Sequence, residues 1–183
     1  MSTVARRTLL CKTVGWREGA VLVVVAWLVP FLVHLIPWGG ARPLGVYVLP
    51  VFWTTFLAVY FHGALPGLAI GLVTPLVNIA LTGLPALGMV GTMGMEVAGF
   101  AGVAALLVAR WPACWLAAPL AWVAGKALAI AGQFLLPAFE YTGQPLAHLL
   151  RSTQNGLAGL GILTVINVLL VVLYPKTDAW ERE

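Results

Sequence analysis

From Pro43 to Met95 the chain carries no aspartate, glutamate, lysine or arginine. A soluble fold cannot leave so long a stretch without charge, because roughly a quarter of a soluble domain's residues are charged. Over all 183 residues the charged share is 9% and the hydrophobic share 61%, with a mean hydropathy of +0.98. Disordered, collagen-like and disulfide-scaffold chains need polarity, a Gly-X-Y repeat or dense cysteine, and this chain has none of them. An integral membrane protein remains.

A helix needs roughly 20 mostly apolar residues to cross about 30 Å of hydrocarbon. Six stretches qualify: Gly19 to Pro37, Leu44 to Phe61, Ala64 to Thr82, Ala86 to Ala109, Ala113 to Pro137 and Asn155 to Tyr174. Membrane β-strands alternate apolar and polar residues. Runs such as Val21–Val25 and Ile166–Leu173 do not alternate, so helices are expected. The breaks are short and rich in turn residues: Trp38 to Pro43, His62-Gly63, Gly83-Leu84-Pro85 and Arg110-Trp111-Pro112. Only Ala138 to Gln154 has the length of a real loop. The reading is all-α: residues 1–183 form a single transmembrane domain, a compact bundle of six helices joined as antiparallel neighbours.

Lysine and arginine orient such a bundle. One side holds Arg6, Arg7, Lys12, Arg17, Arg110, Lys176 and Arg182, and the other holds Arg42 and Arg151. Both termini are therefore expected in the cytoplasm, with the first span uncleaved. The basic pI reflects topology and anionic lipid, because no basic–aromatic stripe suits nucleic acid. Cys11 and Cys114 fall on the cytoplasmic side, where thiols stay reduced, and their spacing fits no metal motif.

Two charges lie inside the spans. An ionisable group at mid-bilayer costs roughly 2.5–3.5 kcal/mol even on a lenient scale, and such groups usually mark function. Glu96 is ten residues from Ala86, the outer end of its span, and Lys126 is eleven from Pro137, the outer end of the next. At about 1.5 Å per residue both lie roughly 15–17 Å beneath the outer surface. Gly88, Thr92, Glu96 and Gly99 share one helix face, and Trp122, Lys126, Ala129 and Gln133 share another. Asn155 opens the sixth span at the same outer level. His34, Asn78 and Thr92 also sit in outer halves, so intramembrane polarity concentrates there and implies a cavity opening outward. Alternatives stay open for each residue. Glu96 and Lys126 form a ligand site or a buried pair that fixes packing. Gln133 and Asn155 bind ligand or bond between helices, and Trp122 is a stacking wall or core. Catalytic motifs, nucleotide loops and histidine ligand spacings are absent, so neither enzyme activity, a cofactor nor a metal is expected.

The densest pattern is Gly63-Ala64-Leu65-Pro66-Gly67, continuing through Gly71 to Thr82-Gly83-Leu84-Pro85, then Glu96 with Gly99 and Gly102. Glycines four apart let helices approach closely. The pattern resembles the substrate-binding membrane subunit, or S component, of energy-coupling-factor (ECF) vitamin transporters, over roughly Gly19 to Tyr174. Many members carry an Ala-x-x-x-Ala pair on span one, whereas here Ala20 and Ala26 are six apart.

The resemblance implies an importer subunit in a prokaryotic cytoplasmic membrane. It would capture a small vitamin or vitamin precursor from outside, in a pocket formed by spans four to six. The loops after spans one and five would close the pocket. Its partners would be a transmembrane coupling subunit and two ATPases. Glu96, Lys126, Trp122, Gln133, Asn155 and Thr92 are the expected substrate-binding residues. Two rivals are a small secondary transporter using Glu96 as proton carrier, and a non-catalytic membrane scaffold.

Overall fold

A computed structural model describes residues 15–83, 90–135 and 145–176. Arg6, Arg7, Cys11, Lys12, Arg182, Leu84-Pro85, the start of the fourth expected span and the first part of the long expected loop, through residue 144, lie outside the described residues. So does the side chain of Gln133. Among the described residues all regular structure is helical: α1 Trp16–Leu35, α2 Leu44–Val48, α3 Pro50–His62, α4 Ala64–Thr82, α5 Val90–Arg110, α6 Ala117–Leu135, α7 Pro145–Asn155 and α8 Leu157–Leu173.

Three helices are long and apolar enough to cross a membrane, namely α1, α4 through Leu81, and α5. The end of α7, Leu149–Asn155, joins α8 across a 67° bend to make a fourth candidate. The apolar part of α6, Ala117–Gly132, is shorter. The structure thus carries three to four candidate membrane helices, with two differences from the expected spans. Leu44 to Phe61 is broken at Leu49, and part of the expected loop is the helix α7.

The break at Leu49 has a local and a distant cause. The ring of Pro50 disfavours a right-handed helical conformation at the residue before it. Leu49 takes the left-handed conformation, φ 56° and ψ 45°. That is costly for a bulky residue, on the order of 1–3 kcal/mol. Its backbone stays bonded, donating to Gly45 and accepting from Phe52. Its side chain fills the space over Gly159, where a Cβ would stand 2.6 Å from Leu49 Cγ. Glycines on α8 therefore create the socket that holds the strained leucine.

Close contacts give the helix directions. Gly67 and Gly71 of α4 lie against Val59 and Thr55 of α3, so these helices are antiparallel. Gly71 and Gly94 set α4 antiparallel to α5 through Val97 and Leu72. Gly99 meets Gly125, and Gly132 meets Met95, which sets α5 antiparallel to α6. At Gly99 and Gly125 the approach is backbone to backbone. A Cβ on Gly125 would stand 2.7 Å from the Phe100 nitrogen and 3.0 Å from the Glu96 carbonyl oxygen, so only glycine fits.

The C-terminal helix closes the bundle beside α3. Leu49, at the start of α3, meets Gly156 and Gly159 at the start of α8. At the other end, the Tyr60 hydroxyl of α3 donates to the Tyr174 carbonyl at 2.8 Å and lies 3.2 Å from that of Leu170. The Tyr174 carbonyl lies just past the end of α8, and that of Leu170 already accepts from the Tyr174 N–H. So α3 and α8 run parallel. The core between the helices is aromatic: Phe52 packs edge-on against Phe100 at 5.1 Å and against Trp122 at 6.3 Å. By contrast α1 buries little, and Val21, Val24, Leu28, Leu32 and Leu35 face outward.

Candidate functional site

The glycine contact between α5 and α6 positions the two charges. Glu96 lies one turn before Phe100, and Lys126 follows Gly125, so the residues that touch at the backbone bring their neighbours' side chains together. Lys126 Nζ donates to Glu96 Oε1 at 2.7 Å. The lysine and glutamate side chains are 12% and 15% exposed. Both charges are largely removed from solvent, and each compensates the other.

Trp122 lies one turn before Lys126, and i, i+4 side chains on a helix are neighbours. The Lys126 ammonium sits 5.4 Å from the Trp122 ring centroid, within cation–π range. Trp122 is 1% exposed, and its indole N–H is buried with no hydrogen-bond partner among the described residues. A buried donor left unpaired costs roughly 1–3 kcal/mol, and the indole N–H groups of Trp27 and Trp53 are buried in the same state among the described residues. One edge of the indole faces the bend between α7 and α8, where a Cβ on Gly156 would stand 3.5 Å from Trp122 Cζ2 and 3.2 Å from Leu49 Cδ1. Two interrupted helices therefore meet beside the tryptophan, one broken at Leu49 and one bent at Gly156.

Of the expected site residues, Glu96, Lys126 and Trp122 come together in one cluster. Thr92 is half-buried one turn before Glu96 on α5. Asn155 is half-buried at the end of α7, next to the glycine that faces Trp122. Gln133 lies on α6 toward its C-terminal end, with its side chain outside the described residues.

Two residues at or near this centre were not expected. Leu49 could have been suspected from Pro50, which forbids a regular helix through the residue before it. Gly156 had no distinguishing signal among many glycines. A third, Asn167, is structural. It is 1% exposed on α8, its Oδ1 accepts from the Ala118 N–H at 3.1 Å, and its Nδ2 donates to the Cys114 carbonyl at 2.8 Å. It thereby satisfies a backbone donor in the first turn of α6, where such groups lack partners within the helix.

The chemistry on offer is specific. An ammonium has three donors and a carboxylate about four lone-pair positions, so one hydrogen bond saturates neither. An anion and a cation lie 2.7 Å apart, with an aromatic ring 5.4 Å from the cation. Among the described residues no cluster of three or more metal-binding side chains occurs. No family profile, curated protein or solved structure matches this chain.

Proposed function

We propose that this chain is the substrate-binding subunit of an ECF-type importer in a prokaryotic cytoplasmic membrane. In this reading it crosses six times with both termini in the cytoplasm. It takes a small vitamin or vitamin precursor from outside at Glu96, Lys126 and Trp122, with Thr92, Gln133 and Asn155 lining the approach. A coupling subunit and two ATPases supply the energy, because the chain has no nucleotide loop of its own.

The observation that carries the reading is the 2.7 Å Glu96–Lys126 bridge, largely buried, beside the Trp122 ring, whose N–H has no acceptor among the described residues. A ligand with both an acidic and a basic or N–H-bearing group would exchange this single bond for bonds at each end. Lys126 would take its carboxylate or carbonyl, Glu96 its ammonium or ring N–H, and Trp122 an acceptor atom or a flat ring. The alternating helix directions, with α3, α5 and α8 running opposite to α4 and α6, support a six-crossing topology. In that topology α2 with α3, and α7 with α8, each count as one interrupted crossing. Broken helices are tolerated at membrane depth where they are buried in protein or line a cavity. Here both breaks lie against Trp122.

A scaffold is the second reading, favoured by the fact that the two charges satisfy each other. Native mass spectrometry of the protein purified from its own cells separates the two. The importer reading expects one small-molecule adduct per chain, lost in both Glu96→Gln and Lys126→Met. A chain that carries no adduct and is unaffected by either substitution is a scaffold.

A further inference from the structure

A second polar feature lies away from the ion pair, at the end of α1. There the chain turns through residues 36–43 into α2 and forms an open surface pocket of about 420 Å³. Val33, Ile36 and Leu44 form its apolar wall, while His34, Trp38 and Arg42 supply its chemistry. None of its lining residues is acidic. Among the described residues Arg42 takes part in no ion pair, since the one salt bridge is between Lys126 and Glu96.

The imidazole is fixed in place. His34 Nδ1 lies 2.6 Å from the Pro30 carbonyl, which can only accept, so Nδ1 carries the proton. That leaves Nε2 as the ring's remaining polar atom. Gly45 gives it room, because a Cβ there would come within 3.5 Å of Nε2. Trp38 is held against Tyr47 at 5.8 Å between ring centroids, which fixes the aromatic wall. The surrounding surface is apolar: Leu35, Ile36 and Trp38 are each at least half exposed. Tryptophan and tyrosine at the end of an apolar helix mark the depth of lipid headgroups.

A guanidinium presents a planar fork of donors that matches the oxygens of a phosphate. An arginine with no ion pair among the described residues, a lining without a carboxylate and an oriented imidazole acceptor suit an anion that also carries an O–H. We propose that this pocket is a phosphate site, with Arg42 donating to the phosphate oxygens as the principal contact and His34 Nε2 accepting from an O–H of the phosphate or of its headgroup. The phosphate belongs either to an anionic lipid headgroup or to a free phosphate-bearing solute. This site is independent of the ion pair and of the importer reading.

The test uses the full chain in lipid nanodiscs, with two probes. In discs containing phosphatidylglycerol and phosphatidylcholine, native mass spectrometry counts retained phosphatidylglycerol. In phosphatidylcholine discs, broadening of the phosphorus resonance of inorganic phosphate reports binding of the free ion. Arg42→Gln is expected to lower one of these affinities about tenfold, the size of a lost charge-assisted hydrogen bond. His34→Ala should lower the same affinity several-fold. Arg110→Gln, at the far end of α5, should leave it unchanged. A loss confined to phosphatidylglycerol identifies a lipid headgroup, and a loss confined to inorganic phosphate identifies a free solute. Helicity by circular dichroism verifies that each variant folds. If folded Arg42→Gln binds both probes as the wild type does, the proposal is overturned.

Discussion

Two polar clusters sit inside this apolar bundle, and they are built in opposite ways. Asn167 is neutral, sealed at 1% exposure, and bonded on both sides of its amide to backbone groups of the turn before α6. Glu96 and Lys126 are charged, slightly open, joined by one bond, and adjacent to the Trp122 ring, whose N–H has no acceptor among the described residues. The first cluster answers a need of the fold, because the start of a helix leaves N–H groups without partners. The second answers no such need. Neither charge is required by a neighbouring backbone group, and apolar residues of similar volume would pack there at comparable or greater stability. A saturated polar group is explained by structure alone, whereas an unsaturated pair of charges calls for another partner.

The largest effect should come from splitting the pair. Lys126→Met leaves the Glu96 carboxylate without its cation. It should cost about 3 kcal/mol of stability, measured by unfolding in detergent, and abolish ligand binding. A loss of stability no greater than that of Asn167→Ala would erase the contrast between the clusters.

Gly125→Val should come next, at about 2–3 kcal/mol, because its side chain would collide with the α5 backbone at Phe100 and Glu96. It should separate the charges while leaving the Asn167 clamp intact. Gly102→Val is the matched control and should stay within about 0.5 kcal/mol, since nothing lies within 4 Å of a Cβ at that position. Equal losses at the two glycines would mean that the α5–α6 contact does not set the site.

Asn167→Ala should cost about 1–2 kcal/mol by leaving the Ala118 N–H unbonded and the Cys114 carbonyl with only its long bond from the Ala117 N–H. Its affinity for ligand should stay within twofold of wild type, as titration of the folded variant would reveal. A large fall in affinity would show that the clamp and the site are coupled.

Much of the site was legible because ionisable residues are so rare in apolar helices. Counting residues from the span ends matched Glu96 to Lys126 in depth, and the glycine spacing placed small residues on the facing sides. Trp122 followed from its position one turn from Lys126. The interruptions were harder. Leu49 reads as an ordinary apolar residue in an apolar run, and its left-handed conformation depends on glycines more than a hundred positions away on α8. Helix α7 is too polar for its sequence to mark it as a span, although its apolar residues fall on one face. Asn167 escaped notice because a single amide in a span is unremarkable until its partners are known, and those lie in a turn between two other helices.

The most direct test replaces both charges at once. Glu96→Gln with Lys126→Met keeps the volumes and removes the charges, so the folded bundle should retain wild-type stability within about 1 kcal/mol. Native mass spectrometry on wild type and the double variant, each purified from its own cells, then reads the small molecule carried by each. The account predicts one adduct on the wild type and none on the stable double variant. An adduct retained by the double variant, or a wild type that carries none, would contradict it.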